Sequence, residues 1–250
     1  MSGRLRKGDL WRIAVRASLL QATWNFERQQ GIGWAWALEP AIDRLYPDPK
    51  VRCERLAEHT AYFNTQPTLA SLALGAVAAL EERRAAGEGP DADAIARVKS
   101  VLGSSLAALG DRLFWFTLRP FAACLGVWIA LGGNPAGALV MWLCYNIPHL
   151  GLRVLGVQWG YALGPAVLSG DLRKRLERFT RLLYALGAAL IGVLLAWIIA
   201  PGGAPHLLVF EATLGAGLGL GFLGALRPRP SPTEWALGIG ALCILATWFR

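Results

Sequence analysis

Little in this chain invites covalent or metal chemistry: its 250 residues hold four cysteines, three histidines and only 17 acidic side chains against 25 basic ones. Cys53, Cys124, Cys144 and Cys243 form no Cys-x-x-Cys pair, and the last three lie in apolar runs where cysteine behaves as a small hydrophobe. Neither a disulfide framework nor a zinc site is expected. His59, His149 and His206 fall in different segments without metal-ligand spacing, so they read as pairing or surface histidines. No Gly-x-Ser-x-Gly, His-Glu-x-x-His or phosphate-cradling glycine loop stands in a strand-to-helix setting. The sequence therefore predicts no catalytic residue, no metal and no cofactor. The formal charge of +8 does not point to nucleic acid, because the basic residues sit at the edges of apolar segments rather than along one solvated face.

What the chain has in abundance is apolar surface: 54% hydrophobic residues, a mean hydropathy of +0.39 and 11 tryptophans, the balance of an integral membrane protein. The apolar residues come in runs of unequal length. Pro67 to Leu80 follows Asn64-Thr65-Gln66 and is too short to cross, since fourteen residues reach ~21 Å against a hydrocarbon core of ~30 Å. Val101 to Gly110 is shorter still and ends in Asp111-Arg112. The charged stretch between them carries the linker Gly87-Glu88-Gly89-Pro90 and Asp91, a predicted helix N-cap. Two truncated runs around a charged hairpin predict re-entrant elements, because unwound backbone survives at membrane depth only inside protein or along a cavity.

The flanks read differently. In the front, Leu10, Ile13, Ala17, Leu20 and Trp24 recur at three and four, with Arg12 and Arg16 on another face, which predicts a basic amphipathic helix lying in the headgroup layer. Gly31 to Leu45 is Trp-rich with an expected break at Glu39-Pro40, and a soluble helix is expected from Lys50 to Phe63. Leu113 to Leu131, broken by Arg119-Pro120, and Ala136 to Leu155, containing Asn146 and Pro148, approach spanning length. Leu182 to Ala200, His206 to Leu226 and Glu234 to Phe249 predict three further crossings. The cluster Arg173, Lys174, Arg175, Arg178 and Arg181 belongs in the cytoplasm, and the uncharged loop Pro201 to Pro205 outside, which leaves the C-terminus outside. The N-terminal cations precede no compact apolar core with a cleavage site, so no removable signal peptide is expected. The predicted class is all-α, with one domain over residues 1–250. Within it an interfacial N-terminal segment covers 1–66, a re-entrant and broken-helix core 67–164, and spanning helices 165–250.

Polar residues inside such a pattern are costly to maintain, and that singles out Asn25, Glu27, Asn64, Gln66, Asp111 and Asn146. Amides and carboxylates are the groups that bind sugar hydroxyls, each of which donates and accepts. The plain alternatives are that Thr65 caps a helix and that Asp111 pairs with Arg112 or Arg119.

Four blocks carry a family resemblance. Gln21 to Gly33, QATWNFERQQGIG, resembles the N-terminal signature of the IID membrane subunit of mannose/fructose/sorbose-family phosphotransferase systems (PTS). Tyr62 to Pro67, YFNTQP, Gly110 to Pro120, GDRLFWFTLRP, and Tyr145-Asn146 through Gly164 are similar to further elements of that family, in family order. Arg112 departs from the Pro or Ser often found after the Gly-Asp pair. The resemblance implies a multi-pass subunit of the bacterial inner (cytoplasmic) membrane that joins a IIC subunit in a hetero-oligomer. Within the lipid bilayer the pair would form the path for a hexose-type sugar. Phosphate would come from the IIA/IIB proteins, so this subunit would not itself be catalytic. Asn25, Glu27, Asn64, Gln66, Asp111 and Asn146 would line the path or the IIC contact. A docking or regulatory subunit that binds PTS partners without moving sugar is the competing reading.

Overall fold

The computed structural model describes residues 3–168, 171–199 and 217, and the described chain is helical, with isolated β-bridges but no strand among these residues. The helices are α1 (Lys7–Ala17), α2 (Gly31–Leu45), α3 (Pro49–His59), α4 (Ala70–Ala85), α5 (Ala92–Gly110), a π-helical stretch (Asp111–Leu118), α6 (Arg119–Leu131), α7 (Gly137–Leu163), a 3-10 turn (Gly164–Leu168) and α8 (Asp171–Ile199). The chain divides into two compact units, one of Met1–Arg119 with Trp142–Arg178 and one of Pro120–Met141 with Phe179–Arg250. Gly217 apart, the expected crossings His206–Leu226 and Glu234–Phe249 lie outside the described residues.

In the first unit the amphipathic front is turned inward. α1 ends at Ala17, and Leu10, Ile13, Ala17 and Leu20 are buried, packed on α2 and α4 rather than laid into lipid. Trp24, expected on the same face, is exposed with Trp11. The break expected at Pro40 does not occur, for a local reason. A proline at 40 leaves the carbonyl of Trp36 without its helical donor, and the Arg16 guanidinium supplies one at 2.9 Å while pairing with Glu39 and stacking 4.9 Å over the Trp36 ring. α3 starts one residue earlier than expected and stops at His59: Asp48 caps Lys50 N at 2.8 Å with Pro49 in the first turn. Asp91 caps α5 as expected, accepting from Ala94 N at 2.7 Å.

The short run after Pro67 is α4, and protein encloses it from Ala70 to Ala78. Its short length fits a core helix enclosed by the first unit. Small residues bring α7 onto it. A Cβ at Gly75 would overlap the Val157 carbonyl, one at Gly160 would overlap the Leu72 carbonyl, and one at Gly156 would lie 2.9 Å from the Ser71 hydroxyl. Ser71 and Gly75 thus interlock with Gly156 and Gly160 at four-residue spacing, the close approach that small residues permit between membrane helices.

The second truncated run, Val101–Gly110, is instead the middle of one helix that continues from Ala92 to Leu131. At ~1.5 Å per residue it is ~60 Å long, twice the hydrocarbon core. Arg119-Pro120 does not break it, because the turns ahead of Pro120 widen: Arg119 N–H bonds the Phe114 carbonyl, and the Thr117 hydroxyl bonds the Arg112 carbonyl at 2.8 Å, each five residues back. That helix and Gly137–Leu168 are both long and apolar enough to cross a membrane. Trp115, Phe116, Trp142, Ile147 and Leu150 stand exposed along them, an apolar surface of the kind a bilayer or a partner subunit covers.

The second unit, by itself, closes α6 against the start of α7. Gly133, at φ 80°, makes the turn, and a Cβ on Gly126 would lie 2.8 Å from the Gly137 carbonyl. The crossing expected from Leu182 to Ala200 falls in α8 as far as Ile199, and Ala200 lies outside the described residues; the same helix, continuous from Asp171 to Ile199, carries the basic cluster.

Candidate functional site

Two polar loops of the first unit meet beside the start of α4. The turn 25–29 closes with Gln29 N on the Asn25 carbonyl at 2.8 Å and places Gln29 at φ 54°; Gln30 N then bonds the Phe63 carbonyl at 2.8 Å. The buried Gln30 amide clamps the second loop at one residue, donating to Thr65 O at 2.8 Å and accepting from Thr65 N at 3.0 Å. Gly31 must be glycine because a Cβ there would meet the Thr60 carbonyl at 2.6 Å. Gly110, in turn, leaves room for Gln66, whose Cβ would lie 2.6 Å from a Cβ at that position. The three sequence blocks around residues 25, 64 and 111 are thus assembled by backbone pairing and close packing.

The six expected residues separate into committed and uncommitted groups. Gln66 is committed: its buried side-chain oxygen accepts from Thr68 N at 2.8 Å and Leu69 N at 3.1 Å, so Gln66, not Thr65, closes the turn that leads into α4. Asn25 holds its own turn, accepting from Arg28 N at 2.8 Å. Asn146 donates to the Trp142 carbonyl one turn back at 2.9 Å. Glu27 is exposed and lies 3.8 Å from Arg28. Asn64 is exposed and Asp111 half-buried, and neither side chain has a hydrogen-bond or ion-pair partner among the described residues. The expected alternative of an ion pair with Arg119 is not formed; Arg119 lies 5.2 Å over the Trp115 ring instead.

Three further polar groups were missed by sequence reasoning. On α7, Tyr145, His149 and Arg153 recur every four residues and so share one face; Tyr145 and His149 stack at 5.5 Å, with Phe114 edge-on to both. His149 Nδ1 and Arg153 Nε are buried without a partner, as is the Thr65 hydroxyl. The remaining Arg153 fork reaches the Ser18 carbonyl at 3.1 Å. The signal was the i, i+4, i+8 spacing of three polar aromatic or cationic residues inside an apolar helix.

The other end of α4 carries a contrasting cluster. Glu81 is fully buried; it accepts from the Tyr46 hydroxyl at 2.7 Å and lies 3.2 Å from His59 Nε2 and 3.3 Å from Arg84. Burial alone would raise the Glu81 carboxyl, but the His59 and Tyr46 hydrogen bonds and the Arg84 charge outweigh it and hold the group below the ordinary carboxylate range. Burial and the bond to Glu81 push the Tyr46 hydroxyl up. Arg84 also binds Glu58 at 2.7 Å, and the buried Lys99 ammonium donates to the His59 carbonyl at 2.8 Å, closing the end of α3. Among the described residues no three His, Cys, Asp or Glu side chains gather as a metal site.

Long apolar helices, glycine-mediated helix contacts and unpaired polar groups within them define a helical membrane protein with a polar site. Comparison with known proteins places it further. The family of PTS system mannose/fructose/sorbose IID components matches residues 4–201, and the chain belongs to that family. It is 38% identical over 192 residues to the mannose-specific EIID component of Escherichia coli K12, covering 76% of this chain and 68% of that one. It is 36% identical over 193 residues to the fructose permease IID component of Bacillus subtilis, covering 77% and 70%. Among solved structures, a chain of the mannose transporter ManYZ in complex with microcin E492 superposes with a TM-score of 0.62 at 30% identity, over 98% of this chain and 97% of that one. The protein is accordingly a membrane permease subunit of a mannose-type phosphotransferase system.

Proposed function

We propose that the subunit recognises a hexose-type sugar through Asn64 and Asp111, with Thr65, His149 and Arg153 extending the path, while Gln66, Asn25 and Asn146 hold the scaffold. The observation that carries this reading is the division of polar groups: Gln66 uses both acceptor sites of its oxygen and one N–H within the protein, and Asn25 and Asn146 each use part of their capacity, whereas Asn64 and Asp111 keep all of theirs for a hydroxyl. An aromatic face beside unpaired nitrogens, as Tyr145 and His149 offer, suits a sugar ring.

Uptake then needs a IIC partner to complete the path, and phosphate from IIA/IIB, with no covalent step on this chain. The subunit lies in the inner membrane in several passes, with Arg173 to Arg181 on the cytoplasmic side. Labelled-sugar uptake and assembled complex, measured together in cells carrying the whole system, test the assignment. Asn64→Ala and Asp111→Asn should each lower uptake at unchanged assembly. Full assembly without uptake in the unmutated system would favour the docking reading.

A further inference from the structure

Beside Arg112, where α5 passes into the π-helical stretch, a cavity of about 230 Å³ opens against the 3-10 turn after α7 and the first turns of α8. Leu106, Leu109 and Val167 form a buried apolar base with Leu168 beside them. Arg112, Arg173 and Glu177 supply the charge, a net of one positive. Arg173 is partly spent: its Nε donates to Glu177 at 2.9 Å and one terminal nitrogen reaches the Leu168 carbonyl at 3.4 Å. The Arg112 guanidinium has no hydrogen-bond or ion-pair partner among the described residues, although it lines the same cavity. Farther along α8, Lys174, Arg175, Arg178 and Arg181 precede an apolar stretch, the sequence pattern of a helix that leaves the cytoplasmic headgroup layer.

We infer that this cavity binds the headgroup of an anionic phospholipid, with Arg112 as the donor to the phosphate and the leucine–valine base receiving the glycerol and first methylenes. A guanidinium without a partner presents paired N–H donors to phosphate oxygens. The apolar base favours a lipid over free phosphate, which would leave those side chains wet. Basic pockets between helices at the cytoplasmic face are suited to such headgroups, since the surface field concentrates anionic lipid there. Arg112 adjoins Asp111 in the chain, but none of the residues assigned to the sugar path lines this cavity, and the inference stands whether or not that path is correctly drawn.

The test uses the full chain, purified in mild detergent and stripped of bound lipid, titrated with labelled phosphatidylglycerol and with phosphatidylcholine. The expected result is a preference for phosphatidylglycerol that falls roughly tenfold in Arg112→Gln and largely survives in Arg112→Lys. Ala108→Trp, which fills the cavity from its exposed edge without changing charge, should remove the preference as well. Arg97→Gln, an exposed cation elsewhere on α5, should leave it intact. An equal loss in Arg97→Gln would mean diffuse attraction and overturn the site, as would full binding in Ala108→Trp. Displacement by millimolar inorganic phosphate would assign the cavity to a free anion and overturn the lipid reading. If Arg112→Gln does not fold, Ala108→Trp decides alone.

Discussion

The two ends of α4 treat buried polar groups in opposite ways. At its C-terminal end Glu81 is fully enclosed, yet tyrosine, histidine and arginine all reach its oxygens. At its N-terminal end Gln66 is equally committed, but the buried Thr65 hydroxyl beside it has no partner, the exposed Asn64 and half-buried Asp111 side chains have none among the described residues, and on the neighbouring α7 His149 and Arg153 each leave a buried nitrogen unpaired. A polar group with all its partners inside the protein is architecture. One buried without partners is destabilising, by about 1–3 kcal/mol, and is retained where a ligand or partner completes it. Polarity at membrane depth therefore marks a site only after the internal hydrogen bonds have been subtracted.

The largest effect should come from breaking the satisfied end. Glu81→Ala leaves His59, Tyr46 and Arg84 facing an empty acceptor and should destabilise by about 3–5 kcal/mol, read as loss of folded protein in detergent. The same network gives a pH signature. A carboxyl lowered in the folded state stabilises above its unfolded value of about 4.3 and loses that contribution as pH falls through the folded value. The melting-temperature gap between the native protein and Glu81→Gln should thus be constant near neutrality and shrink only below about pH 4. A gap that shrank between pH 8 and 6 would mean that another group governs the cluster.

Next in size is the α4–α7 interlock. Gly160→Val must push a branched side chain against the Leu72 backbone and should destabilise by about 1–3 kcal/mol, whereas Gly151→Ala, on the same helix with open space around it, should be near neutral. Thermal unfolding of the two variants side by side separates packing from helix propensity. Smaller still is Arg16→Ala, which strips the Trp36 carbonyl of its donor beside Pro40 and should cost about 0.5–1.5 kcal/mol. An α2 equally stable without Arg16 would show that Pro40 is tolerated for another reason.

The all-helical class, the Asp91 cap and the membrane character were legible in composition and spacing, because apolar run length and capping chemistry are local properties. Helix continuity was less so. Pro40 and Pro120 predict breaks by the ordinary rule, and both helices run on because a distant arginine in one case and a widened helical register in the other supply the missing hydrogen bonds. Val101–Gly110 looked truncated because charged residues flank it, but charge at a helix surface does not end the helix. The amphipathic front faced two apolar environments of equal appeal, lipid and α2, and periodicity does not distinguish them. In the candidate site, residue type singled out Asn64, Gln66 and Asp111 alike as candidates. It could not show that the neighbouring Gln66 amide is folded back onto Thr68 and Leu69.

That neighbouring pair of amides gives the most direct test of the account. Uptake of labelled sugar and the amount of assembled complex should be measured in the same cells for Asn64→Ala and Gln66→Ala. For Asn64→Ala the account predicts normal assembly with apparent affinity weakened roughly ten- to a hundredfold, the consequence of one unpaired hydroxyl at about 1–3 kcal/mol. For Gln66→Ala it predicts less assembled complex, from the loss of the bonds that close the turn into α4, worth about 1 kcal/mol, and uptake reduced only in proportion. Normal assembly with weakened affinity in Gln66→Ala, beside unchanged uptake in Asn64→Ala, would contradict it.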